Sequence, residues 1–318
     1  MPTLMLVPTG IGCAIGGYAG DALPSARLLA AASGCLITHP NVMNGAALYW
    51  SDPRIHYVEG YGLDRFAAGD WLLRPVRRQR IGLLLDAGIE PELAQRQIQV
   101  AEACRATLGL EIGPVLSTDA PLGVHLERGA SGASWGSLER PDALLRAGER
   151  LQTAGATAIA VVARFPEDPQ SAELAAYRQG SGVDALAGAE AVISHLLVRH
   201  LQIPCAHAPA LGSLPLDPDL DPRAAAEELG YTFLACVLVG LSRAPDLVPA
   251  GQGMVEGNGL RADQLGAVVV PQGALGGEAL LAAVARDVPV IAVANPSLLA
   301  VTPELLGMAE AVLPAASL

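Results

Sequence analysis

The sequence contains no lysine, and all 20 of its basic residues are arginine. That absence excludes three chemistries. A P-loop needs a lysine on the nucleotide phosphates, a pyridoxal enzyme needs one for its Schiff base, and a Ser-Lys dyad needs one as its base. Codon usage in a GC-rich genome, which favours Ala, Arg, Gly and Pro, is a sufficient cause. Positive charge is scarce altogether, because 32 acidic residues leave a formal net charge of −12. Such a surface opposes attraction to phosphate backbones and to anionic lipid, so neither nucleic acid nor membrane is an expected partner.

Cysteines are few as well. Cys13, Cys35, Cys104, Cys205 and Cys236 are widely spaced and form no C-x-x-C pair, so neither a disulfide framework nor a zinc site is signalled and no metal is expected. Long apolar runs are missing too. The stretch 229–241 is interrupted and falls short of the roughly 18 residues that cross a bilayer. Met1 to Thr9 has no basic leader region, which leads to the expectation of a cytoplasmic protein.

What the sequence does contain is apolar: hydrophobic residues make up 51% of 318 and charged ones 16%. That is enough apolar surface to offset the entropy of ordering the chain into a globule. Strand-like runs alternate with helical patterns. Leu4–Val7, Cys35–Thr38, Arg54–Val58, Val115–Ser117, Ala158–Ala163, Ile203–Ala206, Ala267–Val270 and Val288–Val293 read as strands. Glu90–Leu108, with Pro91 at its first turn, reads as a helix, and so do Asp142–Thr153, Ala185 to about His200, and Gly277–Ala285. Asp221-Pro222 is a cap and first-turn proline for a short helix ending near Gly230.

The expected fold class is therefore α/β: a largely parallel, Rossmann-like sheet with helices on both faces. One domain over residues 1–318 fits the length, with a division into two lobes left open and the 260–318 segment returning to the first sheet.

The candidate ligand site lies at two similar strand-to-helix turns. The first carries Thr9, Gly10, Gly12, Gly16 and Gly17, and the second Gly273, Gly276 and Gly277. Glycine lets the backbone turn tightly and approach a ligand, and the helix that follows offers unpaired N–H groups to an anion. A packing role for either turn is the plain alternative. The first turn is a loose relative of the dinucleotide fingerprint, but the next strand ends at Thr38-His39 with no carboxylate for a ribose, so NAD is the second choice.

His39 and Asn41 follow the second strand and are candidates for acid–base and ligand contacts, with loop capping as the alternative. Cys205 and His207 stand two apart on a strand, where an imidazole can activate a thiol; a buried cysteine beside a hydrogen-bonded histidine competes with that reading. Arg178 is a candidate carboxylate or phosphate clamp, against ordinary pairing with an acid. Glu59 and Asp64 offer carboxylates as a weak signal. His195 and His200, five apart on a helix, are poor joint metal ligands.

Several long blocks carry a resemblance. They are Val7–Gly12 with Ile15–Ala22, Leu36–Val42, Tyr57–Tyr61, Gly188–His195, Ile203–Pro209 and Ala225–Leu234. Through them the sequence resembles a protein family of unknown function widespread in cyanobacteria and plant plastids. The resemblance implies that setting and supplies no activity. Cys13 stands where the family has alanine, which implies that no thiol is needed there, and the tail after Gly307 is shorter than the family's.

The leading expectation is an enzyme acting on a small anionic metabolite. A nucleotide or NAD(P) binder and a non-catalytic sensor or assembly protein remain as alternatives. No particular cofactor is implied, and self-association into a homo-oligomer is left open.

Overall fold

The structure, a computed structural model, describes residues 1–8, 10, 21–43, 52–228, 233–251, 259–297 and 299–317. The chain opens with β1 (Thr3–Met5), α1 (Leu23–Ser33), β2 (Leu36–Thr38), the single turn α2 (Pro40–Met43), β3 (Ile55–Tyr57) and α3 (Gly60–Ala67). Pro24 sits in the first turn of α1, where its missing N–H costs nothing. Gly34 ends the helix at φ +78°, donating its N–H to Ala30 O.

The middle of the chain holds β4 (Trp71–Arg74), β5 (Ile81–Leu85), α4 (Pro91–Leu108) and β6 (Ile112–Ser117). Next come β7 (Val124–Arg128), β8 (Ser134–Leu138), α5 (Pro141–Thr153), β9 (Ala158–Arg164), α6 (Ala172–Arg178), α7 (Ala187–Leu201) and β10 (Cys205–Ala210). The last third contributes α8 (Pro222–Glu228), α9 (Phe233–Leu241), β11 (Asp246–Pro249), β12 (Ala267–Pro271), α10 (Glu278–Ala285), β13 (Val290–Val293) and β14 (Val312–Ala315).

Two parallel sheets dominate. The first has six strands in the order β14-β13-β12-β1-β2-β3, with Thr3 paired to Ala267 on one side and to Leu36 on the other. The strand order therefore reverses between β1 and β12, the kind of switch point at which open α/β sheets leave a crevice. The second sheet runs β10-β9-β5-β6, also parallel. Two antiparallel ribbons, β4 with β11 and β7 with β8, complete the described sheets. The fold is α/β, as the alternation of strand and helix implies.

Side chains on each strand alternate between two cores. Leu4, Ile37, Val268 and Val270 face one side together with α3 and α10, whereas Met5, Val7 and Leu36 face α1 and α9 on the other. The four-stranded sheet divides in the same way, with Ile159 and Val161 in the first core and Ala158 and Ala160 in the second. Both cores are thus shared between the sheets. Wholly buried side chains such as Phe66 and Leu4 each contribute about 1.5–3 kcal/mol relative to exposure.

Several strand regions depart from the sequence reading, the most central being β5 (Ile81–Leu85), an inner strand of the four-stranded sheet that the reading does not include. The β7–β8 ribbon was not anticipated, because Val124–Leu138 alternates weakly and carries glycine at 129, 132 and 136. β4, β11 and β14 are not read from the sequence either; β11 and β14 each carry a proline, which argues against a strand. The strand expected over Ile203–Ala206 starts instead at Cys205 and continues to Ala210, so His207 stands well inside it and not at its end.

Candidate functional site

The carboxyl ends of both parallel sheets open onto one cleft of about 980 Å³. From the first sheet it is lined by Pro8 after β1, His39 after β2, Glu59 after β3 and Ala274 after β12; from the second by Pro166 after β9 and Leu211 after β10. Along one wall runs α7, which contributes Glu190, Ala191, Ser194 and His195. These positions are one and four residues apart, the spacing that puts them on adjoining stripes of one helix.

His195 lies between two carboxylates. Its Nδ1 is 2.5 Å from Glu59 Oε1, in an ion-pair contact that is off the line of an aligned hydrogen bond. Glu59 is buried because it is also the N-cap of α3, where Oε2 accepts the Tyr61 N–H at 2.9 Å. Asp64, one turn further on, accepts the Ala279 N–H at the start of α10 at 3.0 Å. Burial pulls the His195 pKa down, but Glu59 and Asp64 outweigh it and leave the imidazole above its ordinary value. Burial pushes the Asp64 carboxyl up, against the opposing pull of His195. Gly60 is needed here, since a Cβ would stand 2.8 Å from His195 Cε1.

A second group surrounds His207 on β10. Its Nδ1 is 2.9 Å from Ser194 Oγ, and its Nε2 is 3.6 Å from Glu190 Oε2. Asp184 precedes α7 and accepts the Leu186 N–H at 2.9 Å. Burial, and then the charge of Glu190, push its carboxyl up to about 7.

The residues expected from the sequence fall into three sets. His39, Asn41, His207 and Gly277 line the cleft. His39, however, is locked: Nε2 accepts the Val7 N–H at 2.9 Å, and burial pulls its pKa down to about 4. Asn41 Nδ2 donates to Val7 O at 3.0 Å, so this segment ties the end of β2 to the end of β1. Gly10, with φ +78°, accepts the Ser134 N–H at 2.8 Å and seats β8. Gly273 and Gly276 have positive φ, and a Cβ on Gly273 would stand 2.8 Å from Ser297 Oγ, which gives that glycine a packing role. Thr9, Gly12, Gly16 and Gly17 lie outside the described residues, as does Cys13.

Cys205 and Arg178, like Gly10, Gly273 and Gly276, do not line the cleft. Cys205 is 1% exposed, its Sγ donates to Ile203 O at 3.4 Å, and burial pushes the thiol well up. It shares a strand face with His207 but lies further from the carboxyl edge, and His207 takes Ser194 and Glu190 as its partners. Arg178 pairs with Glu228 at 2.7 and 3.1 Å and donates to Pro215 O, the ordinary pairing with an acid. Sequence reasoning missed Asp184, Glu190 and Ser194 and set His195 aside. The available signal was the block Gly188–His195, which carries part of the family likeness. Among the described residues no group of three His, Cys, Asp or Glu side chains could hold a metal ion.

Fold and site together define an α/β protein with one large histidine- and carboxylate-lined cleft at the carboxyl edges of two parallel sheets. The DUF3326 model, described as a protein of unknown function, matches residues 2–316, and the chain belongs to that family. A relative is 60% identical over 309 residues, 97% of this chain and 86% of its own length: an uncharacterised lipoprotein of Synechococcus sp. strain PCC 6301. That name overturns the cytoplasmic expectation. The expectation rested on leader and span patterns in the chain, which do not register a covalent lipid. No described helix is long and apolar enough to cross a membrane.

Proposed function

We propose that the protein is an enzyme that performs general acid–base chemistry on a small polar metabolite held in the cleft. The observation that carries this reading is His195, held between Glu59 at 2.5 Å and Asp64 while facing a large concave site. A histidine with its charged form stabilised by carboxylates is poised to give and take protons near neutral pH. The ligand's charge is read differently from the anion suggested by glycine turns alone. Arg128 is the one arginine in the described lining, which also holds Glu59, Asp64, Asp184 and Glu190. Such a lining favours a neutral or cationic ligand, since an anion would be desolvated among like charges.

A nucleotide ligand is favoured by one separate observation, the reversal of strand order between β1 and β12 beside Gly277. Thermal-shift screening separates the two readings, because a ligand at 100 times its dissociation constant adds about 2.7 kcal/mol of stability. Amines and neutral polar metabolites are expected to raise the melting temperature, while carboxylates, phosphates and nucleotides do not. For any hit that is converted, His195→Gln should slow turnover by about 100-fold or more while binding persists. Full turnover in that variant would sink the reading.

A further inference from the structure

We propose that the cleft carries a second proton-transfer centre, in which His207 is a catalytic acid–base group and Ser194 is the positioning residue that orients its ring. The inference rests on reading the cleft as an acid–base site. It adds a different histidine, on a different element, with its own support.

Ser194 is wholly buried, so its hydroxyl must be satisfied within the protein. Its Oγ is 3.4 Å from Glu190 O and 3.5 Å from Ala191 O, carbonyls of the preceding turn of α7 that accept a hydroxyl hydrogen from a helical serine. With its hydrogen directed there, Oγ presents a lone pair to His207 Nδ1 at 2.9 Å. Nδ1 therefore keeps a hydrogen whether the ring is neutral or charged, and the exchangeable proton belongs to Nε2.

Nε2 is the reactive edge. It is 3.6 Å from Glu190 Oε2, beyond direct hydrogen-bond length, and both residues line the cleft. The charged groups beside the ring are Glu190 from α7 and Asp184 from the segment before α7. Burial, and then the charge of Glu190, push the Asp184 carboxyl up to about 7, so the wall beside Nε2 holds a group that takes up a proton near neutrality.

In the proposed step, Nε2 takes a proton from a substrate atom and becomes an imidazolium facing Glu190. The electron pair stays on the substrate, and a proton is returned to a second substrate atom by His207 or His195. No oxidant, reductant or co-reactant enters. The implied substrates are small polar molecules whose conversion removes one proton and supplies another, as in a proton shift or the elimination of water.

Nitrogen-resolved NMR of the labelled full chain tests this without a ligand. In the wild type His207 Nδ1 is expected to carry hydrogen at about pH 6 and at about pH 8, on both sides of the range where an ordinary histidine changes charge. In Ser194→Ala that tautomer preference should be lost. The Asp184 carboxyl carbon should titrate near 7 in the wild type and lower in Glu190→Gln. Hydrogen on Nε2 and not on Nδ1 at the higher pH in the wild type overturns the proposal, and no variant needs to fold for that result. An Asp184 midpoint unmoved by Glu190→Gln overturns it too. Failure of the general acid–base reading would show instead in turnover by His195→Gln, so the two outcomes are distinguishable.

Discussion

His39, at the end of β2, and His195, midway along α7, line the same cleft under opposite electrostatics. His39 is buried with a backbone N–H aimed at its Nε2, an arrangement that requires a neutral ring, and its pKa falls to about 4. His195 is partly exposed, and although burial still pulls its pKa down, Glu59 and Asp64 face it and its pKa rises. Burial acts the same way on both; the partner decides the sign. A backbone donor makes a histidine structural, and a carboxylate makes it available for proton transfer.

The largest expected effect tests the His39 half. Its folded pKa lies below the ordinary 6.5, so the unfolded chain binds the extra proton first as pH falls. The group's contribution is present above about pH 6.5 and is lost as pH drops toward 4, a change on the order of 3 kcal/mol. Urea unfolding across that window should show a steeper loss in the wild type than in His39→Gln. Equal losses would break the comparison.

The His195 half has the opposite sign. A raised folded pKa contributes stability at pH below the unfolded value and loses it as pH rises through the folded value. Glu59→Gln should move the His195 Cε1–H titration midpoint downward, since the largest influence opposing burial is then gone. An unmoved midpoint would show that Glu59 does not set the proton affinity.

Applied to thiols, the same rule ranks reactivity. Cys205 is buried with its thiol pushed well up, whereas Cys35 is partly exposed. Iodoacetamide near neutral pH should label Cys35 well before Cys205, because the thiolate is the nucleophile. Mass-spectrometric peptide mapping reads the order, and early labelling of Cys205 would restore it as a reactive residue. The smallest effect belongs to His200, an exposed side chain 2.7 Å from Glu149. His200→Gln should change stability by no more than about 0.5 kcal/mol in urea unfolding.

Much of this fold is legible in the sequence because its signals are local. Pro91 and Gly109 bracket α4, and the unbroken apolar run from Ala158 declares a strand buried on both faces. The cleft was only half legible, because its chemistry joins distant residues. Glu59 and Asp64 look like ordinary surface acids until α3 packs beside α7, and His195 has no meaning as half of a pair with His200. Cys205 and His207 show the reverse failure. Their spacing is right for a shared face, but depth along the strand separates them, and spacing does not encode depth.

The pairing of Thr3 with Ala267 sets an order of events during synthesis. About 260 residues must follow β1 before β12, its neighbour on the side away from β2, exists, roughly 10–50 s at ordinary translation rates. The four-stranded sheet, drawn from one continuous stretch between Ile81 and Ala210, needs no such wait. On the ribosome the middle of the protein can close while the first strands stand with an unfilled edge, a template for wrong pairings. The wall built from β12 and α10 arrives late, so a nascent chain can present His207 and Ser194 before it can close the cleft around a ligand.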